Sequence, residues 1–207
     1  AYDEAADMPL EVYNIKAILN DEEWKQLGSQ VSAVMSGGGL SDNVAESWPT
    51  FVVSRLKHAK TSSEKKLLFL LRHLIALHRK HGSFGGKRSM MEEAKAIGMP
   101  EVVLKKLLDT FTVGQPSDRD DGKLTYRSTK TLKDKLMLHL LVVGLNVNGC
   151  VIPTADLVDD LQYPHAQLRN MLQQTGCNVK VAPTKGDGTK GEGYIGELKA
   201  PIQFPDP

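Results

Sequence analysis

Apolar residues between positions 131 and 199 follow a helical spacing first and an alternating spacing afterwards. The helical segments are LKDKLMLHLLVVGLNVNG, TADLVDDLQ and YPHAQLRNMLQQTG, and the short segment CVIP separates the first two. The segments CNVKVAP and GYIGELKAP flank a turn rich in Gly and Lys and have the spacing of strands. The stretch from Thr131 to Lys199 therefore predicts helix, strand, helix, helix and β-hairpin, which is the order of a winged helix.

Local signals predict where these elements begin and which faces they bury. Thr131 and Asp134 have approximately the spacing of a capping box, with Asp in place of the usual Glu or Gln. Thr154 is placed to cap the second helix. Val179 and Val181 alternate with polar residues, which predicts that both are half-buried on one face of a strand.

The preceding stretch, residues 61–130, repeats this order with low identity. It predicts helices at Lys65–His81, at Met90–Ile97 and from Pro100, a basic glycine loop at 83–89, and a hairpin at 112–127. Pro100 aligns with Pro164 at an offset of 64 residues, and the apolar positions around both prolines then coincide. We interpret the chain as two winged helices in tandem. The alternative, a bundle of helices alone, leaves both hairpins unexplained.

The first 60 residues show helical patterns without a hairpin. Helices are predicted at Asp21–Met35 and at Val44–Ala59, the second with an alternative start at Pro49, and Ala1–Leu10 is predicted to be a tail. The expected fold is mainly α with small β-hairpins (α+β), in which N-terminal helices precede tandem winged-helix domains. The expected divisions are 1–60, 61–129 and 130–207.

Charge is unevenly distributed although the 207-residue chain has a net charge of only +1. Residues 1–60 carry a net charge of −4, residues 61–130 of +6 and residues 131–207 of −1. A local basic surface can attract a polyanion even when the total charge is near zero. Cys150 and Cys177 are expected to be reduced, small and buried. No apolar run reaches transmembrane length, so no membrane partner is expected.

The predicted third helices present polar groups that suit DNA. In the second repeat, helical spacing directs Gln167, Asn170 and Gln173 outward and places Arg169 on the flank. Amides and arginine can read base edges or hold phosphates, although a merely solvated polar face has the same composition. In the first repeat, Lys106 is predicted to be outermost, with Lys105 beside it and Asp109 on the same face.

Further basic residues lie in or near the predicted turns. These are Lys87 and Arg88 in the glycine loop, Arg119, Lys123 and Arg127 in the first hairpin, and Lys180, Lys185 and Lys190 in the second. Flexible basic turns suit phosphate contacts of low sequence specificity. Surface lysines that only increase solubility are the alternative.

The sequence contains no recognisable catalytic or metal-binding motif. The segment SFGGKRS lacks the spacing of a phosphate-binding P-loop. His73, His78 and His81 share a predicted helix, but no nearby cysteine or acidic set completes a metal site. Neither an enzyme nor a cofactor is expected.

Several segments resemble the C-terminal tandem winged-helix region of the forty-nine-kilodalton subunit of RNA polymerase I, the polymerase-associated factor family. These segments are SWPTFVVSRL, LLFLLRHLIALHRKHG, VVLKKLLDTFTV, LKDKLMLHLLVVGLNVNG, LVDDLQ, LRNMLQQTGC and LKAPIQFP. The resemblance extends from about Val12 to Pro205 and consists of apolar patterns and short motifs.

This resemblance implies a role that spacing alone does not give. Such regions are similar to the winged helices of the general factor TFIIE, bind DNA beside the polymerase cleft, and support initiation and elongation on ribosomal RNA genes. The resemblance also implies a nuclear, nucleolar location. Contacts with the polymerase I core and a partner subunit would be made through regions outside this chain. The alternative function is a winged-helix scaffold that binds proteins and no nucleic acid.

Overall fold

The computed structural model describes residues 2–37, 40, 45–80, 84–85, 88–116, 124–184, 191–202 and 204. The N-terminal part contains 3₁₀ turns at Pro9–Glu11 and Ile15–Ile18 and the helices α1 (Asp21–Ser36) and α2 (Thr50–Leu56). The first repeat contains α3 (Ser62–Arg79), β1 (Phe84–Gly85), α4 (Met90–Ile97), α5 (Glu101–Phe111), β2 (Val113–Pro116) and β3 (Leu124–Arg127). The second contains α6 (Lys130–Val147), β4 (Val151–Pro153), a 3₁₀ turn at Thr154–Asp156, α7 (Val158–Leu161), α8 (His165–Gln174), β5 (Asn178–Val181) and β6 (Tyr194–Glu197).

Both repeats fold their strands into the same kind of small antiparallel sheet. The strand orders are β1-β3-β2 and β4-β6-β5, so the last strand of each repeat lies in the middle of its sheet. The mainly helical fold with small β-hairpins is therefore confirmed.

Strand β1 was not predicted, because its two described residues, Phe84 and Gly85, are too few to show an alternating pattern within the glycine loop expected at 83–89. Phe84 is buried and lies opposite Tyr126 of β3. Gly85 has a φ of +80°, and a Cβ there would lie 2.4 Å from the Leu124 carbonyl oxygen. Glycine is therefore required where this short strand meets β3.

Capping boxes begin three of the predicted helices, and the cap of α6 differs from the prediction. The side chains of Asn20, Thr61 and Ser89 cap α1, α3 and α4, each in a complete capping box. The prediction that Thr131 caps α6 is wrong. Thr129 is the cap, and its hydroxyl accepts the N–H of Leu132 at 3.3 Å. The boundary shifts because Lys130 and Thr131 already have helical conformation.

Two further local predictions in the second repeat are wrong. Thr154 does not cap α7, because its hydroxyl accepts the N–H of Tyr194 in β6 at 2.9 Å. Val179 is half-buried as predicted, but Val181 is 72% exposed. Val181 ends strand β5, and the apolar core does not extend that far along the hairpin.

The core is continuous through both repeats and the N-terminal helices. The first helices of the repeats, α3 and α6, pack against each other, with Phe69 and Leu74 of α3 and Met137 and Leu141 of α6 fully buried. Helix α1 packs on α3 and α5, and α2 packs on α3. These contacts place the outer faces of α5 and α8 on the surface of one packed body.

Residues 2–10 are not a tail, contrary to the prediction for Ala1–Leu10. Tyr2 forms a β-bridge with Tyr13, and the N–H of Asp3 donates to the Val12 carbonyl at 2.8 Å. Ala6 is buried against the core. Isolated apolar residues gave no periodic signal from which this packing could be predicted.

Candidate nucleic-acid interface

Helix α8 presents a polar outer face because its apolar residues recur at helical spacing. Leu168 and Leu172 are fully buried. Gln167 and Asn170 are exposed, as predicted, and Arg169, which was predicted on the flank, is exposed as well. Gln173, which was also predicted to point outward, is only half-buried. No residue of His165–Gln174 is acidic. This face therefore offers hydrogen-bond donors and a positive charge without a carboxylate on the same helix.

The hairpin of the second repeat contributes an aromatic ring beside this face. The guanidinium carbon of Arg169 lies 5.3 Å from the ring centroid of Tyr194 in β6. At this distance a guanidinium and an aromatic ring attract each other. Helix α8 and the hairpin thus form one surface.

The strand register decides which hairpin residues share that surface. Residues directly opposite each other lie on one face of a sheet, and successive residues alternate between faces. Val181 lies opposite Tyr194, and a Cβ on Gly196 would meet the Leu172 side chain of α8 at 3.0 Å. Val181 and Tyr194 therefore lie on the α8 side of the sheet, whereas the exposed Lys180 projects from the opposite side.

A hydrogen-bond network holds the start of α8 against the hairpin. The Thr154 hydroxyl lies 2.7 Å from His165 Nδ1 and also accepts the N–H of Tyr194. His165 Nε2 lies 3.4 Å from a carboxylate oxygen of Glu192, whose side chain is 80% exposed. Gly193, with a φ of +77°, leaves room for this network, since a Cβ there would lie 2.1 Å from His165 Nδ1. None of these contacts was predicted, because their partners are far apart in the sequence.

The corresponding helix of the first repeat, α5, has a different outer face. Lys105 is exposed and Lys106 is half-buried, the reverse of their predicted order, because the helix turns Lys106 partly towards its packed side. Glu101 and Asp109 are exposed one turn before and after Lys105. The exposed stripe is therefore acidic, basic and acidic in turn, with exposed Val102 beside it.

Two other residues of the first repeat that were predicted to bind DNA lie away from the exposed stripe of α5. Arg127 is exposed but pairs with Val113, the first residue of β2, at the base of the hairpin. Arg88 is exposed just before Ser89, which caps α4. The remaining basic candidates, Lys87, Arg119, Lys123, Lys185 and Lys190, lie outside the described residues.

A buried carboxylate that the sequence did not single out joins three parts of the chain. Asp160 of α7 is 4% exposed, and its two carboxylate oxygens accept the N–H groups of Thr50 and Phe51 at 2.9 and 2.8 Å. It also pairs with Arg79 at the end of α3. Nearby, Arg55 of α2 pairs with Asp156 at 2.5 Å. These contacts join α2 to the second repeat and to the end of α3 in the first.

The fully buried His73 joins α1 to the first repeat. Its Nε2 lies 2.8 Å from the side-chain oxygen of Gln30, and its Nδ1 lies 3.0 Å from the Arg72 guanidinium. The neutral ring fits both contacts, because it donates from Nε2 and accepts at Nδ1. Burial, and then the charge of Arg72, hold the pKa of His73 well below 6.5. His73 is therefore a structural residue and presents no site to solvent.

The described residues contain no cluster of His, Cys, Asp or Glu that could hold a metal ion. Both cysteines are buried and free, and burial raises the pKa of the Cys177 thiol to about 11. Within the same part of the chain, no helix is long and apolar enough to cross a membrane.

Comparison with known proteins assigns the chain to a family. The family model described as "A49-like RNA polymerase I associated factor" matches residues 1–205, nearly the whole chain. No curated protein matches the chain. The chain therefore belongs to the family of A49-like RNA polymerase I associated factors, and its role is in transcription by RNA polymerase I.

Proposed function

We propose that the chain is a DNA-binding module of RNA polymerase I, built from two winged helices, and that it binds DNA mainly through its second repeat. In this proposal residues 61–129 and 130–207 are the winged helices, and residues 1–60 are a helical buttress. The module is non-catalytic and acts in the nucleolus during initiation and elongation on ribosomal RNA genes.

The observation that carries this proposal is the outer face of α8. Arg169, Asn170 and Gln173 line it, and the helix has no acidic residue. Arginine can pair with phosphates, and amides can contact either phosphates or base edges. Only one of these groups is charged, so we expect weak binding with little sequence preference, on the order of micromolar at modest salt.

The basic residues of the hairpins add to this surface in the proposal. Lys180 projects from the far side of the sheet, next to the end of β5, where it can meet a backbone that passes around the hairpin. Lys185 and Lys190 follow in the sequence. Arg88 and Lys105 are the exposed basic candidates of the first repeat that lie on or beside its helices.

A charge-matched pair of variants tests the proposal. Arg169→Gln removes one positive charge from α8, and Lys25→Gln removes one from the exposed face of α1. Fluorescence anisotropy with a labelled duplex, over a salt series, should show that Arg169→Gln lowers the slope of log K against log salt by about one unit. Lys25→Gln should leave the slope unchanged. Equal effects of both variants would show that only net charge matters, and salt-independent binding would contradict the proposal.

A second candidate function, protein docking, is favoured only for the first repeat. The outer stripe of α5 alternates Glu101, Lys105 and Asp109, and Val102 is 42% exposed beside it. Carboxylates repel phosphates, whereas mixed charges around exposed apolar side chains are common at protein interfaces. In this candidate function the first repeat faces the polymerase and the second faces DNA. Loss of polymerase binding in a Val102→Glu variant that still binds DNA would support it.

A further inference from the structure

The hairpin of the second repeat exposes an aromatic and apolar surface that phosphate contacts do not explain. Tyr194 is half-buried, and its ring has the Arg169 guanidinium beside it. Val181, directly opposite on β5, is 72% exposed. We call these three residues the stacking platform. Among the described residues, no second aromatic ring stacks on Tyr194.

The backbone holds this platform in place. Tyr194 begins the central strand of its sheet, paired with Val181, and its N–H donates to the buried Thr154 hydroxyl. Arg169 lies on α8, which packs against both strands of the hairpin. A tyrosine side chain has only two rotatable torsions, so ordering it on a ligand costs little entropy.

The chemistry of the platform suits an unpaired base better than a duplex. Aromatic faces and guanidinium planes stack on bases whatever their sequence. In a duplex the base faces are covered by their neighbours, and the grooves present only base edges and the backbone. A platform at the junction of helix and hairpin therefore gains most from a strand whose bases are free to turn outward.

We propose that the stacking platform binds an unpaired base of single-stranded DNA, while the polar groups of α8 contact the backbone on either side of it. This inference rests on the proposed DNA-binding function and adds a preference for melted DNA. Tyr194 and the Arg169 guanidinium, which lies over the Tyr194 ring, together supply the stacking surface. Arg169 also neutralises a phosphate, and Val181 extends the apolar surface.

The test uses the full chain, a (dT) oligonucleotide containing one 2-aminopurine, and a duplex of equal length. Stacking on a protein ring quenches 2-aminopurine fluorescence, so the wild type should quench it on binding. Tyr194→Leu should abolish this quenching and weaken single-strand binding about tenfold. It should change duplex binding less than about twofold, because the phosphate contacts remain. Tyr194→Phe, which keeps the ring, should behave as the wild type.

Arg169→Lys separates charge from stacking, since it keeps the charge and loses the planar group. It should weaken binding to the single strand about threefold more than binding to the duplex. Thermal unfolding of each variant shows whether it is folded. Equal losses on both DNA forms, or quenching that survives in Tyr194→Leu, would overturn the platform and leave DNA binding intact. A wild type that binds neither DNA form would overturn the proposed function as well.

Discussion

Arg79 and Asp160 belong to different repeats and form an ion pair, with 2.9 Å between Nη2 and Oδ1. Arg79 Nε also donates to the Asp160 main-chain carbonyl at 2.7 Å. The same carboxylate accepts the first N–H groups of α2, which satisfies donors that a helix N-terminus leaves unpaired. One buried acidic side chain therefore holds the N-terminal part and both repeats together.

Loss of the Asp160 charge should destabilise the whole chain. Asp160→Asn keeps the shape of the side chain but replaces one oxygen with an amide nitrogen, which cannot accept a hydrogen bond. One of the two hydrogen bonds from the N–H groups of Thr50 and Phe51 is then lost. We expect the free energy of unfolding to fall by about 2 kcal/mol in urea denaturation. Asp159→Asn is the control, since the neighbouring side chain is exposed. Similar small losses in both variants would show that the Asp160 contacts contribute little.

Removal of residues 1–60 should leave a poorly folded fragment. The cut exposes apolar residues of α3 that pack on α1 and α2, and it leaves Asp160 without two of its partners. We expect the fragment 61–207 to lose cooperative thermal unfolding by circular dichroism. A fragment that melts as sharply as the full chain would show that the repeats are independent of the buttress.

Mild acid should also destabilise the chain, because His73 is buried in its neutral form. Its pKa is depressed in the folded state, so between 6.5 and that lower pKa the unfolded state binds the proton and the folded state does not. Stability is therefore fully present above pH 6.5 and falls as the pH is lowered, by up to about 1.4 kcal/mol per pH unit.

Urea denaturation at several pH values between 7.5 and 5.5, a range of roughly one unit either side of the ordinary histidine pKa, measures this slope. His73→Gln should reduce the slope, because it removes the buried ring that stays neutral in the folded state. Part of the slope should remain in His73→Gln, since burial also lowers the pKa of His139. An unchanged slope in His73→Gln would contradict the buried neutral ring.

Loss of the Glu192 charge should strengthen DNA binding. Its exposed carboxylate lies beside His165 at the start of α8 and repels an approaching phosphate backbone. Glu192→Gln should raise affinity about two- to threefold at low salt, and the gain should shrink as salt is added. Glu101→Gln removes the same charge from α5 of the first repeat. Equal gains in the two variants would place both repeats against the DNA.

The parts of the fold that local chemistry decides were predictable from the sequence. Helical spacing and turn residues predicted the helices and both hairpins. The capping boxes at Asn20 and Thr61 each involve residues no more than three positions apart in the sequence. The outward side of α8 followed from the spacing of Leu168 and Leu172 in the same way. Each of these features needs only near neighbours in the sequence.

Features that depend on distant partners were not predictable. Asp160 meets Arg79 across 81 positions and Thr50 across 110. The contact of Arg169 with Tyr194 depends on the position of α8, on the register of β5 and β6, and on Gly196, which lets the sheet approach Leu172. Asp159 and Asp160 look alike in the sequence, and only the packed structure shows which of the two is buried.

Backbone chemical shifts of the ¹⁵N-labelled chain, titrated with DNA at low salt, locate the DNA-binding surface residue by residue. The largest changes should fall on residues of α8 and of β5–β6, including Arg169, Asn170 and Tyr194. The amides of α1 should stay unchanged, and added salt should reverse the shifts. Changes concentrated on α1, or no changes on α8 at DNA concentrations that saturate binding, would contradict DNA binding through the second repeat.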